Sequence, residues 1–356
     1  MDEETGTILW EKEAHTPRYP ASTTKIMTAM ILLENTRPTD ILVAPRNVEE
    51  IGGASIHLKP GEKITARDAL YAMMVKSAND VAHTVAIHLC GSVENFAKLA
   101  NQRARQIGCR NFQFANPHGL PHSKHVLTAY SLALIAREAM RLPQFREAVA
   151  TQQCKIRRSE PGALTLLVNK NRYLKIDKTA DGIKTGWTAS AGHCYVGSAT
   201  RDGHRVITVL LKSKNWIEDN ECMLNWAFKN HEWHKLADAK KPLTRAKITE
   251  GEQEWIQAGF AKDLYSVYPK TNKEIRHSVE LKVFENIKAP VHLGAQVGVA
   301  VFKNARGHEI KAPLIALESV PKSKAVTTYQ QKPFSYIMLA ALLIGSSAFV
   351  TRRRQE

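Results

Sequence analysis

Apolar residues recur at helical spacing in the first third of the chain: Ile26, Met27, Ala29, Met30, Leu32 and Leu33 form a stripe that would sink a helix into a core. A polar stretch from Thr36 to Gly61, with Gly52-Gly53 and Lys59-Pro60-Gly61, reads as loops and short strands. Thr65 and Asp68 make a capping box ahead of Leu70, Met73 and Met74, so a helix runs to about Lys76 and stops at Ser77-Ala78-Asn79. Val81, Val85, Ala86 and Leu89 mark the next helix, closed by Gly91. Phe96, Ala97, Ala100, Ala104 and Ile107 mark another, closed by Gly108. The turn Asn116-Pro117-His118-Gly119 precedes a helix from Thr128 to Met140, ended by Leu142-Pro143.

Outside this helical block the period changes. Leu164 to Val168, Cys194 to Ala199 and Val206 to Leu211 are short β-rich runs, with a turn at Asp202-Gly203, and Trp216 to Trp226 reads as a terminal helix. Near the start, Thr5-Gly6 reads as a turn into a strand, Thr7-Ile8-Leu9-Trp10. This order predicts an α+β fold: an antiparallel sheet flanked by helices, with an inserted helical subdomain. From Pro242 the pattern shifts to alternation, in Val279 to Phe284 and Val297 to Phe302, with a turn at 304–307. The expected organisation is a main domain over 1–238, a small β-rich domain over 242–320, a linker over 321–333, an apolar segment over 334–350 and a basic tail over 351–356.

Composition narrows the compartment more than the chemistry. A net charge of +16 would suit nucleic acid, an acidic polymer or an anionic surface. No basic helix with interleaved aromatics and no nucleic-acid motif is present, so a basic surface facing anionic envelope polymers is the simpler account. Five cysteines without a Cys-x-x-Cys argue against a disulfide framework or zinc site, and the 14 histidines include no His-Glu-x-x-His; no metal and no cofactor are expected. The segment 334–350 carries no charge and is followed by Arg352, Arg353 and Arg354. It is long enough for a single-pass membrane helix with its arginines in the cytoplasm, which places everything before residue 334 outside the cell. Export needs a signal, and a turn at Thr5-Gly6 needs a strand before it. The expectation is that the natural protein has a signal peptide and a first strand ahead of residue 1.

Three short motifs bear on chemistry. Ser22 and Lys25, three apart at the start of the first helix, would share one face. A buried lysine that loses its charge can take the proton of a serine hydroxyl, and a helix N-terminus offers free N–H groups to an oxyanion. In a chain of this length a Ser-x-x-Lys occurs about once by chance, so alone it reads as a surface helix turn. Ser77-x-Asn79 sits in a connection between helices, where the hydroxyl could relay a proton and the amide could bind either a substrate amide or Lys25; alone it reads as a loop cap. Lys184-Thr185-Gly186 lies in a β-rich region, where a cation and a hydroxyl could meet a substrate carboxylate and the glycine could let a peptide add as a strand. The N–H of Trp187 would follow as a second oxyanion donor. Alone it is an ordinary strand edge.

Together, and in this order, the three match the Ser-x-x-Lys, Ser-x-Asn and Lys-Thr-Gly set of penicillin-recognising enzymes. The flanking stretches 20–29, 77–80, 116–120 and 181–186 extend the match, and the chain resembles the serine D-alanyl-D-alanine carboxypeptidases, the low-molecular-mass penicillin-binding proteins of peptidase family S11. The resemblance implies a β-lactamase/transpeptidase-like fold, a second β domain and a C-terminal anchor. It implies Ser22 as nucleophile, Lys25 as proton acceptor, Ser77 as second catalytic hydroxyl, and Asn79, Lys184, Thr185, Gly186 and Trp187 as substrate-binding residues. The expected reaction removes the terminal D-alanine of a peptidoglycan stem pentapeptide, with β-lactams as inhibitors, and Lys214 is a further candidate for the carboxylate. A D,D-endopeptidase or a class A β-lactamase on the same fold, and a non-catalytic cell-wall scaffold, are the alternatives. The β-lactamase reading lacks an evident deacylating glutamate.

Overall fold

The computed structural model describes residues 1–163, 165–271, 277–304 and 309–323. It divides into two compact units, Met1–Trp233 with Val267–Thr271, and His234–Ser266 with Asn272–Glu356.

The apolar stripe of the first helix becomes the hub of the first unit. Helix α1, Lys25–Asn35, is buried from Lys25 to Leu32 and packs against α2 (Ala66–Tyr71), α3 (Asn79–Cys90), α4 (Val93–Ile107), α5 (Ala129–Ala139) and α6 (Pro143–Ala150). The cap expected at Thr65 forms, its hydroxyl accepting from Asp68 N in the first turn of α2, and the hydroxyls of Ser92 and Thr128 accept in the same way at α4 and α5. Gly91 and Gly108 close α3 and α4 in the left-handed conformation. Proline 143 does end the preceding helical run, but it also opens α6, a helix the pattern did not predict. A first helical residue needs no N–H partner, so proline fits there.

Short strands β1 (Ile41–Val43) and β2 (Lys63–Thr65) pair antiparallel, as do β3 (Gln153–Lys155) and β4 (Leu166–Val168). A one-turn helix α7 (Tyr173–Ile176) leads to the main sheet, where β5 (Ala180–Thr188), β6 (Gly192–Arg201) and β7 (His204–Ser213) run antiparallel in that order. Helix α8, Trp216–Asn230, then packs on β6 and β7.

The stretch Thr7–Trp10 forms no strand. Asp2, and not this stretch, bridges to Val206, and the N-terminal amine of Met1 donates to Ile207 O at 2.9 Å. The Asp2 carboxylate then accepts from Thr5 N and Thr5 Oγ1, a local turn that leads the chain off β7. Leu9 packs instead against the aromatic cluster of Tyr173, Tyr195 and Trp216.

The second unit is β-rich. Strands β8 (His231–Ala237), β9 (Thr244–Thr249), β10 (Trp255–Gly259), β11 (Leu264–Pro269), β12 (His277–Val283), β13 (Ile287–Lys288), β14 (Gln296–Asn304) and β15 (Glu309–Ala316) follow in the chain, residues 231–233 of β8 and 267–269 of β11 being counted with the first unit. Six of them form one sheet in the order β12-β14-β15-β10-β9-β13, antiparallel except for β13 against β9. Its alternating inward residues, among them Ala246, Ile248, Ile256, Ala258, Ala300 and Leu314, build a separate core. Most of the turn expected at 304–307, the linker beyond residue 323, the apolar segment 334–350 and the basic tail 351–356 lie outside the described residues. Among the described residues no helix is long and apolar enough to cross a membrane.

Candidate active site

Ser22 does not lie in the first turn of an α-helix. It sits in a 3₁₀ turn, Ala21–Thr24, that feeds α1, with Ala21 at φ +48°. Three residues per turn eclipse positions i and i+3, so the serine still stands over Lys25. Threonine hydroxyls fix this turn from within, Thr23 Oγ1 donating to Pro20 O and Thr24 Oγ1 to Ala21 O. Two glycines fix it from outside. A β-carbon at Gly119, which has φ +87°, would stand 1.8 Å from Ala21 O, and one at Gly186 would stand 2.8 Å from Ser22 N. Only glycine lets a backbone come that close.

Lys25 is wholly buried and its Nζ has three oxygen neighbours: Ser22 Oγ at 3.0 Å, Asn79 Oδ1 at 2.5 Å and His118 O at 2.7 Å. Each comes from a different part of the chain. The Asn116 side chain shapes the turn that carries His118, accepting from His118 N and Gly119 N and donating to Leu120 O. Thr28 Oγ1 ties the same turn to α1 through Pro117 O, so the turn serves to aim a carbonyl at the lysine. His125 braces it further: its Nδ1 accepts from Ala115 N, which leaves Nε2–H to donate to Thr24 Oγ1. Burial, and then the charge of Lys25 among others, pushes His118 down to about 2, and burial pushes His125 down to about 3, so both rings are neutral.

Asn79 opens α3, two residues after Ser77, which takes the left-handed conformation at φ +67°. A widened turn, Ala72–Lys76, precedes it and closes with Ala78 N donating to Ala72 O. Asn79 Nδ2 donates to Gly52 O and its backbone N–H to Ala54 O, so the 52–54 loop holds the amide while its oxygen meets Lys25. Of the two partners open to Asn79 in the sequence, the lysine is the one it takes.

On the opposite wall runs β5. Lys184 is buried and donates from Nζ to Thr185 O, so its charge stands behind the wall, while Thr185, Gly186 and Trp187 line the open cleft. Burial, then the charges of Lys184 and Lys170, holds Lys25 well below the ordinary lysine value, with Asp80 acting against them. Burial, then Lys170, brings Lys184 down to about 7. A cleft of about 570 Å³ is bounded by Ser22, Ser77, Asn79, the Thr185–Ala189 edge, Gly53 and Gly119. All eight candidate residues therefore converge here, Lys25 and Lys184 just beneath its surface.

Lys214 is exposed past the end of β7 and does not line the cleft. Lys170 and Arg172 do line it, and the sequence reading missed both. They sit in an irregular stretch between β4 and α7 where no motif marks them. The Gly52–Ala54 contribution was equally silent, since a Gly-Gly pair reads as a loop wherever it stands.

Residues 1–215 match the D-alanyl-D-alanine carboxypeptidase family, peptidase S11, and residues 231–322 match the C-terminal domain of penicillin-binding protein 5. The chain is 29% identical over 336 residues to the D-alanyl-D-alanine carboxypeptidase DacF of Bacillus subtilis, covering 92% of this chain and 86% of that protein. Among solved structures it resembles penicillin-binding protein 5 of Haemophilus influenzae, with TM-score 0.67, 25% identity and coverage of 90% and 96% of the two chains. It also resembles the Streptomyces K15 DD-transpeptidase, with TM-score 0.62, 29% identity and coverage of 64% and 95%. The fold is the penicillin-binding α+β fold followed by a small β domain. With the family matched over more than half its length and the cleft assembled from that family's three motifs, the chain belongs to the serine-type D-alanyl-D-alanine carboxypeptidases of peptidase family S11.

Proposed function

We propose that Ser22 is the nucleophile of this D-alanyl-D-alanine carboxypeptidase and Lys25 its general base. The observation that carries this is the donor count at Lys25. A neutral amine has two hydrogens and one lone pair. As an ammonium Lys25 donates to all three oxygens; once neutral it keeps its two hydrogens for Asn79 Oδ1 and His118 O, which can only accept, and the contact to Ser22 reverses, the lone pair facing Ser22 Oγ–H. Burial and two neighbouring lysines favour that neutral state.

As the proton moves to Lys25, Ser22 Oγ attacks the carbonyl carbon of the penultimate D-alanine. The N–H groups of Ser22 and Trp187 hold the developing oxyanion; Gly186 supports this by its close approach to Ser22 N. When the tetrahedral intermediate collapses, the C–N bond breaks and the departing D-alanine amine takes a proton from Lys25 by way of the Ser77 hydroxyl. Thr185 binds the terminal carboxylate, with the charge of Lys184 behind it. Water then hydrolyses the ester, its proton returning through Lys25. A β-lactam enters by the same attack on its strained amide, and its ring remainder stays attached. The alternatives are not favoured by the relatives or the family match.

Segment 334–350 we read as a membrane anchor with the three arginines in the cytoplasm, on the strength of its uncharged length. Sedimentation of the full chain with membranes, and its loss on truncation after residue 323, is the expected result; a truncated protein that still sediments would refute the anchor. For the catalytic assignment, Ser22→Ala should lose both labelling by a fluorescent penicillin and D-alanine release from a pentapeptide. Labelling that persists in this variant would mean another nucleophile.

A further inference from the structure

Asp80 is the residue after Asn79 and only 1% exposed, yet among the described residues it pairs with no cation. Its carboxylate instead collects one side of a loop: Ser55 Oγ donates at 2.6 Å, Leu58 N at 3.0 Å and Ile56 N at 3.3 Å. Ser55 Oγ in turn accepts from His57 N, whose residue is held at φ +60°. The far side of that loop is the part that grips Asn79, through Ala54 O and Gly52 O. The loop is thus fastened to the N-terminus of α3 twice, once by Asp80 and once by the amide that meets Lys25.

We propose that Asp80 is a positioning residue for acylation: it latches the 52–58 loop to α3, which fixes Asn79 against Lys25, and its carboxylate, on the residue next to Asn79, sets a negative charge near that amine. This rests on the assignment of Lys25 as general base. The groups that face Lys25 are Lys184 from β5, Lys170 from the stretch after β4, Asp80 from α3, and the neutral rings of His118 and His125 from the 116–125 turn. Asp80 alone among them favours the charged amine. Without it two effects follow that can be told apart. The loosened loop slows acylation at every pH, and the missing anion lets Lys25 stay neutral further into acid.

The test is the pH dependence of penicillin acylation for the wild-type chain, Asp80→Asn and Ser55→Ala. Asp80→Asn should acylate more slowly at its optimum and show its acid limb displaced downward by about half a pH unit, a threefold change in the fraction of neutral amine. Ser55→Ala keeps the charge and loses one donor, so it should be slower with an unmoved limb. If Asp80→Asn does not fold, Ser55→Ala decides for the latch and an NMR titration of the Lys25 side chain at raised salt decides for the charge, the lysine titrating lower as salt screens Asp80. A wild-type chain that acylates at Ser22 while both variants match its rate and profile overturns this proposal alone. A wild-type chain that does not acylate at Ser22 overturns the assignment beneath it.

Discussion

Asn79 Oδ1 lies 2.5 Å from Lys25 Nζ, and this contact joins residues 54 positions apart in the chain, one from each of two motifs. The amide is held on its other side by Gly52 O, so it cannot rotate away without losing a second hydrogen bond. Asn79→Ala would leave Lys25 with one fixed acceptor fewer, and its lone pair would no longer be aimed at Ser22. Penicillin acylation should fall by roughly 10²-fold, the low end of what a positioned base contributes. Stopped-flow labelling measures it; an unchanged rate with unchanged melting would show that the amide does not orient the amine.

Gly186→Ala tests the approach of β5 to the serine turn. The added methyl would stand 2.8 Å from Ser22 N, 3.1 Å from Ala21 Cβ and 3.2 Å from Thr23 N, so backbone must move. The expected outcome is a cost of about 1–3 kcal/mol in stability, the usual range for overpacking, with a loss of acylation out of proportion to it. Denaturant unfolding beside the labelling rate separates the two. Gly119→Ala should be worse, since it adds an unfavourable φ to a still closer contact with Ala21 O.

Two buried lysines make the molecule less stable in acid. Lys184 falls to about 7 in the folded state from an ordinary 10.5, so between these values the unfolded chain binds the extra proton. Stability should therefore rise with pH from about 7 toward 10.5 and be lowest below 7, on this group's account. Lys25, displaced in the same direction, adds to the trend. Urea unfolding at a series of pH values should show that rise in the wild type and a flatter profile in Lys184→Met; equal slopes would mean that the lysine keeps its proton on folding.

The ion pair of Arg158 with Glu62 is nearly dry, its side chains 1% and 0% exposed, and it is bidentate at 2.7 and 2.8 Å. Arg158 also donates to Ile56 O and His57 O, so the pair underpins the loop that Asp80 latches. Glu62→Gln leaves a buried guanidinium without its counter-charge and should cost about 3–5 kcal/mol. Chemical denaturation measures this directly, and a cost under about 1 kcal/mol would place the arginine in contact with water.

Much of this was legible in the chain because it is written in local spacing. Helix α1 follows from a stripe of apolar residues, α3 and α4 end where glycine permits a left-handed residue, and β6 and β7 follow from β-rich runs between turns. The three motifs could be found because each is a few residues long. What spacing cannot supply is a partner distant in sequence. The 3₁₀ turn at Ser22 depends on Gly119 and Gly186 pressing on it, the absent strand at Thr7–Trp10 on Asp2 taking the place beside Val206, and the lowered pKa of Lys25 on burial near Lys184 and Lys170. Periodicity and caps are one-dimensional properties and survive in the bare sequence. Proximity, desolvation and the aim of a lone pair exist only once the chain has closed on itself, and these are what the tertiary structure decided.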